Sequence, residues 1–208
     1  VSSNGLGKQN KVVKVAAGGD HTLVMKSNGS LWAMGQNLYG QLGDGTFIQR
    51  INPVEIISHG VIDIAASFRG SYFLKEDGSL WWMGHSVLTE ELLSKQKDPV
   101  EIVSSGVAAV KVGVDHICIL KTDGSLWGAG FNEYGQIGDG TNVFKSDFVE
   151  IFSGSIEDFY LGSRFTIVLK TDGTVWGAGR NSNGQIGGYD EERNYFSQIF
   201  NDTNIEKP

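Results

Sequence analysis

Short apolar runs and glycine-marked turns alternate along this chain on a regular beat. Thr22-Leu23-Val24-Met25-Lys26 runs into Asn28-Gly29 and out again through Leu31-Trp32-Ala33-Met34-Gly35. Two extended runs around an Asn-Gly or Asp-Gly step predict a β-hairpin, with a two-residue type I′ turn that needs positive φ at both central residues. The string returns as Asp77-Gly78-Ser79-Leu80-Trp81, Asp123-Gly124-Ser125-Leu126-Trp127 and Asp172-Gly173-Thr174-Val175-Trp176, with the tryptophans 49, 46 and 49 residues apart. One supersecondary unit is therefore copied four times, and a period of that size marks a propeller or a solenoid.

Each hairpin is flanked by two more extended runs. One precedes it, as in Val12-Val13-Lys14-Val15-Ala16-Ala17, and one follows, as in Pro53-Val54-Glu55-Ile56-Ile57, Pro99-Val100-Glu101-Ile102-Val103 and Phe148-Val149-Glu150-Ile151-Phe152. Both faces of the hairpin strands carry apolar side chains, as in a sheet covered on each side. Four strands per copy, covered on both faces, predict an all-β propeller of four four-stranded blades, at about 11–58, 60–104, 106–153 and 155–201. The whole chain, 1–208, reads as a single repeat domain.

Composition adds limits. The 29 glycines are about double the usual share of roughly 7% and follow no collagen-like period, so they serve turns. A lone cysteine, Cys118, excludes an internal disulfide and sits in an apolar run as a small hydrophobe. A formal charge of −7 with scattered lysines disfavours binding to a nucleic-acid backbone. No run reaches the roughly 18 apolar residues of a membrane helix, so no membrane insertion is expected.

In the third copy, Trp127-Gly128-Ala129-Gly130-Phe131-Asn132-Glu133-Tyr134-Gly135-Gln136-Ile137-Gly138-Asp139-Gly140-Thr141 resembles the repeat of the RCC1 (regulator of chromosome condensation) family in its bacterial form. The first copy matches through Asn37-Leu38-Tyr39-Gly40-Gln41-Leu42-Gly43-Asp44-Gly45-Thr46. The second departs, with His85-Ser86-Val87-Leu88-Thr89-Glu90-Glu91 in that place, and the fourth breaks off after Gly187. The resemblance implies a non-enzymatic module that binds a protein partner through one loop face. It extends in scaffold to β-lactamase inhibitor protein II, a secreted bacterial relative, and so leans toward a secreted or cell-surface setting. It also implies one alternative, guanine-nucleotide exchange on a small GTPase, which uses a full ring and an inserted wedge; a second alternative, carbohydrate binding, comes from the residues themselves, with Trp82 or Tyr134 stacking on sugar faces.

The family ring typically has seven blades, and four repeats are present here. Four blades can close on themselves, remain an arc, or pair with a second chain. Repeats shaped to turn about 45–51° per blade are better suited to a homodimer of half-rings than to the roughly 90° steps of a four-fold ring.

Candidate sites follow from what differs between copies. At the turn between first and second strands stand Asp20, Arg69, Asp115 and Arg164, so like residues lie 95 positions apart and a two-blade unit has been duplicated. Opposite charges there are placed to pair between neighbouring blades, each pair contributing roughly 0–1 kcal/mol. Variable aromatics and arginines, namely Tyr39, Phe47, Arg69, Trp82, Phe131, Tyr134, Phe144, Arg164 and Arg180, form the expected partner-binding set, because such residues anchor protein interfaces. His21 and His116 read as hydrogen-bonded structural residues, Asp44 and Asp139 as turn formers, and Gln41, Gln136 and Gln185 as loop tethers. No nucleophile elbow, phosphate-binding glycine loop or His-Glu-x-x-His string is present, so no catalytic residue, cofactor or metal is expected.

Overall fold

A computed structural model describes residues 10–89, 95–188 and 192–200. Sixteen strands form four antiparallel sheets of four, each in sequence order. Blade 1 holds β1 (Val12–Ala17), β2 (His21–Lys26), β3 (Leu31–Gly35) and β4 (Arg50–Ile57). Blade 2 holds β5 (Val61–Ala66), β6 (Gly70–Lys75), β7 (Leu80–Gly84) and β8 (Gln96–Val103). Blade 3 holds β9 (Val107–Val112), β10 (His116–Lys121), β11 (Leu126–Gly130) and β12 (Lys145–Phe152). Blade 4 holds β13 (Ile156–Leu161), β14 (Phe165–Lys170), β15 (Val175–Arg180) and β16 (Glu192–Phe200). This is the all-β propeller architecture the repeat predicts, with no helix among the described residues.

The blades pack in sequence, through their first and second strands, and the core lies between blades rather than within them. Leu23, Met25 and Leu31 of blade 1 meet Val61, Ile64, Phe73 and Met83 of blade 2. Tyr72, Leu74 and Leu80 then meet Val107, Val110 and Ile119, and Cys118 and Leu126 meet Phe159 and Val168. Burial pushes the Cys118 thiol up to about 12, so it behaves as a hydrophobe.

The hairpin turn differs from the expected type I′. Gly29 has φ 76°, but Asn28 does not take positive φ. Gly29 N–H donates to Lys26 O at 2.9 Å and Lys26 N–H to Ser30 O at 3.0 Å, closing a three-residue loop with one left-handed position. The side chains explain the choice. Asn28 Oδ1 accepts from both the backbone N–H and the hydroxyl of Ser30, and that hydroxyl accepts from Trp32 Nε1 at 3.0 Å. The same relay joins Trp81, Trp127 and Trp176 to Ser79, Ser125 and Thr174. A lysine covers each indole: Lys26, Lys75, Lys121 and Lys170 lie 3.6–4.3 Å from the ring centroids.

Candidate functional site at the loop end of the arc

The turns between first and second strands and the long loops between third and fourth strands emerge at the same end of every blade, because the strands run antiparallel. In blade 1 the long loop is built around Asn37, which is fully buried. Its amide Nδ2 donates to Asp44 Oδ1, Thr46 O and Ile48 O, while its Oδ1 accepts from Leu42 N–H at 2.9 Å. Asn132 repeats this with Asp139, Thr141 and Ile137, and Asn181 with Gly187 and Ile186. Burial alone would raise Asp44, but hydrogen bonds from Thr46 and Arg50 outweigh it and hold the carboxyl below its usual range. The expected glutamine tethers are present: Gln41, Gln136 and Gln185 each accept the backbone N–H two residues before them.

The seams between blades are of two kinds. At seam 1/2 the loop of blade 1 lies on the fourth strand of blade 2, with Gln96 N–H donating to Tyr39 O and Gly45 N–H to Lys97 O, both at 3.1 Å. The approach is so close that a Cβ on Gly40 would stand 2.5 Å from Gln96 O. Below it, Ser71 Oγ donates to Gln41 O at 2.7 Å and so accepts from His21 Nε2 at 2.8 Å, which fixes the proton on Nε2. Burial lowers His21 to about 4, against the opposing pull of Asp20. Above it, the Arg69 guanidinium covers the Tyr39 ring at 4.6 Å. Seam 3/4 repeats each part: His116 with Thr166, Thr166 with Gln136 O, and Arg164 over Tyr134 at 4.8 Å, with a further hydrogen bond from Arg164 to the Tyr134 hydroxyl at 2.7 Å.

Among the described residues, seam 2/3 has neither the histidine–hydroxyl relay nor the arginine–tyrosine cover. Gly70 stands at the histidine position and Ile117 at the hydroxyl position. In place of the tyrosine is Leu88, which packs down against the seam core, and in place of the arginine is Asp115. The mouth of this seam stays open as a cavity of about 260 Å³. Its lining gathers Phe68, Arg69, Val114, Asp115, Phe131 and Arg164 from three blades.

The structure thus brings Arg69, Phe131 and Arg164 together and distributes the other expected residues around them. Phe131 packs edge-on against Phe144 at 5.4 Å. Arg180 lies 5.5 Å from the Tyr134 ring, and Phe47 is exposed at the rim beside Lys95. Trp82 is placed elsewhere: its indole lies in mid-strand β7, packed against the core between blades 2 and 3. The expected charge pairing takes hold on one side, where Arg164 Nε lies 3.9 Å from Asp115 Oδ2. Arg69 instead rests on the faces of Tyr39 and Phe68 and meets no carboxylate among the described residues. Phe68 and Val114, 53% and 51% exposed, are cavity residues that the sequence reading missed. Their signal was the column just before the charged one, which reads Gly19, Phe68, Val114 and Ser163.

Two models of the regulator of chromosome condensation (RCC1) repeat match the chain, one at residues 12–41, 107–136 and 156–185 and the other at 28–74. No curated protein matches by sequence. Among solved structures, human WBSCR16 superposes with a TM-score of 0.79 at 20% identity, covering 92% of this chain and 55% of that one. Prp20p of Saccharomyces cerevisiae gives 0.78 at 17% identity, covering 94% and 52%. Yeast RCC1 (Prp20) bound to Kap60 gives 0.76 at 16%, covering 94% and 50%. The chain spans about half the length of these structures. With four RCC1-type blades and repeat matches spread from blade 1 to blade 4, the chain belongs to the RCC1 repeat family.

Proposed function

We propose that this chain is a non-enzymatic interaction module that holds a protein partner on its loop end, with the mouth of seam 2/3 as the anchor point. The open seam carries this reading. Exposed Phe68 and Val114 and half-buried Phe131 surround two arginines, Asp115 and Glu133 in a cavity of about 260 Å³, on an end where the neighbouring seams are covered by Arg69 over Tyr39 and Arg164 over Tyr134. Clustered aromatic and arginine side chains at a concave, partly desolvated spot are what interface hot spots are made of. Arg69, held by the ring faces of Tyr39 and Phe68 and meeting no carboxylate among the described residues, can offer its guanidinium edge to a partner's carboxylate or carbonyl groups. The RCC1 structures this chain resembles are described with protein partners, Kap60 in one and Gsp1p and histones in another, which supports a protein ligand as the class.

The test is a paired capture. Wild-type chain, Arg69→Glu/Phe131→Ala, and a control with Lys75→Glu at the opposite, hairpin end are immobilised, and bound proteins are compared by mass spectrometry. A partner held by wild type and the Lys75 variant but lost by the loop-end variant is expected, with its hydrogen-exchange footprint on 66–70, 113–115 and 131–134. A partner that follows the hairpin end instead would overturn the assignment.

A further inference from the structure

We infer, with the mouth of seam 2/3 as the anchor point, that it takes one aromatic side chain of a partner protein, flanked by an acidic residue on the blade 2 side only. Size and lining set the aromatic. A cavity of about 260 Å³ lies below the roughly 300–1,000 Å³ of small-molecule pockets and suits a single inserted side chain. Phe68 comes to it from the turn before β6, Val114 from the turn before β10 and Phe131 from the loop after β11. The Phe131 ring is held edge-on by Phe144, and Phe68, 53% exposed, still has ring surface to bury. A third ring gains offset or edge contacts with these two beyond the area it buries.

Charge sets the rest. Of the carboxylate and guanidinium groups at the mouth, Asp115 and Arg164 are already engaged. Asp115 Oδ1 accepts from Gln136 Nε2 at 3.3 Å, its Oδ2 lies 3.9 Å from Arg164 Nε, and Arg164 donates to the Tyr134 hydroxyl at 2.7 Å. Arg69 and Glu133 are not so engaged. Arg69 meets the rings of Tyr39 and Phe68, and exposed Glu133 has no ion-pair partner among the described residues. They belong to the two sides of the seam, Arg69 to the β5–β6 turn of blade 2 and Glu133 to the β11–β12 loop of blade 3. Lys95 adds a second cation on the blade 2 side, 5.8 Å from the same Tyr39 ring. A partner carboxylate on that side meets the fork of Arg69, whereas one on the blade 3 side is repelled by Glu133. One attraction and one repulsion around a shared apolar slot give the mouth a direction, which attraction alone would not.

Random peptides displayed in many copies on phage, panned on the whole chain and aligned on their aromatic residue, test this. Wild type should retain peptides with Asp or Glu enriched on one side of the aromatic and depleted on the other. Arg69→Gln should erase the enrichment, and a synthetic peptide selected on wild type should bind it about tenfold more weakly. Glu133→Lys should admit acids on both sides, a gain that no folding defect can produce. The charge-exchanged Arg69→Glu/Glu133→Arg should move them to the opposite side. Peptides that need Phe131 but show no asymmetry, or an asymmetry unchanged in Glu133→Lys, would overturn the inference while leaving the mouth as the anchor point. Peptides indifferent to both Phe131→Ala and Arg69→Gln would overturn it and count against the anchor point as well. If no peptide is retained, the side-chain pattern is overturned, and the anchor point still stands or falls by capture of a whole partner.

Discussion

Seams 1/2 and 3/4 are closed by a buried histidine, a hydroxyl and an arginine lying over a tyrosine; seam 2/3, built from the same fold, ends in an open mouth. The difference comes from a few side chains. Where Tyr39 and Tyr134 reach across to the next blade, Leu88 drops into the core, and where an arginine would meet it stands Asp115. Repetition supplies the scaffold, and the copy that leaves the pattern supplies the open mouth. The closed seams are stabilised by buried polar contacts, so they should respond strongly to substitution. The open one should not.

The largest effect is expected at the buried asparagines. Asn132→Ala removes donors to Asp139 and Thr141 and the acceptor of Ile137 N–H, leaving buried groups without partners. About 3 kcal/mol of stability should be lost in urea unfolding. Ser86→Ala, at the same position beside the open seam, should cost about 1 kcal/mol. Equal losses would mean that the two kinds of loop are held in the same way.

Acid should act next, through seam 1/2. His21 titrates at about 4 in the fold and near 6.5 when exposed, so the unfolded chain takes up its proton first as pH falls. Its contribution is complete above about pH 6.5 and is lost progressively down to about pH 4, a total on the order of 3 kcal/mol. The unfolding midpoint should therefore fall between pH 7 and pH 5. In His21→Phe, which copies Phe165 of blade 4, that slope should flatten. A variant with the unchanged slope would remove His21 as its source.

Blade number, strand order and the interblade core were legible in the sequence because apolar periodicity and the Asx-Gly-Ser/Thr-x-Trp string are local signals. The hairpin geometry was not. The Asn-Gly step is compatible with a two-residue turn, and only the Ser30 and Trp32 relay to Asn28 favours the three-residue loop. The charged column Asp20, Arg69, Asp115, Arg164 was readable as a column, but not its pairing. Whether Arg69 finds a carboxylate or a ring depends on where Tyr39 of another blade lies, and that distance is set by the curvature of the arc. Trp82 shows the converse: a residue that varies between copies can be drawn into the core, here at the position where Gly128 and Gly177 of blades 3 and 4 lie against the loop residues Ile137 and Ile186.

The smallest effects separate the seams most sharply. Arg164→Ala loses the hydrogen bond to Tyr134 and the cation–π contact and should cost about 1 kcal/mol. Arg69→Ala loses only ring contacts, at about 0.5 kcal/mol. Phe68→Ala trims a side chain already 53% exposed, and stability should stay within about 0.5 kcal/mol of wild type. A residue that a fold does not need for its own stability, held at the mouth of a cavity beside two arginines, is free to serve contact with another molecule. If Phe68→Ala instead destabilises the chain as Asn132→Ala does, the mouth of seam 2/3 is part of the core, and the contrast between open and sealed seams is lost with it.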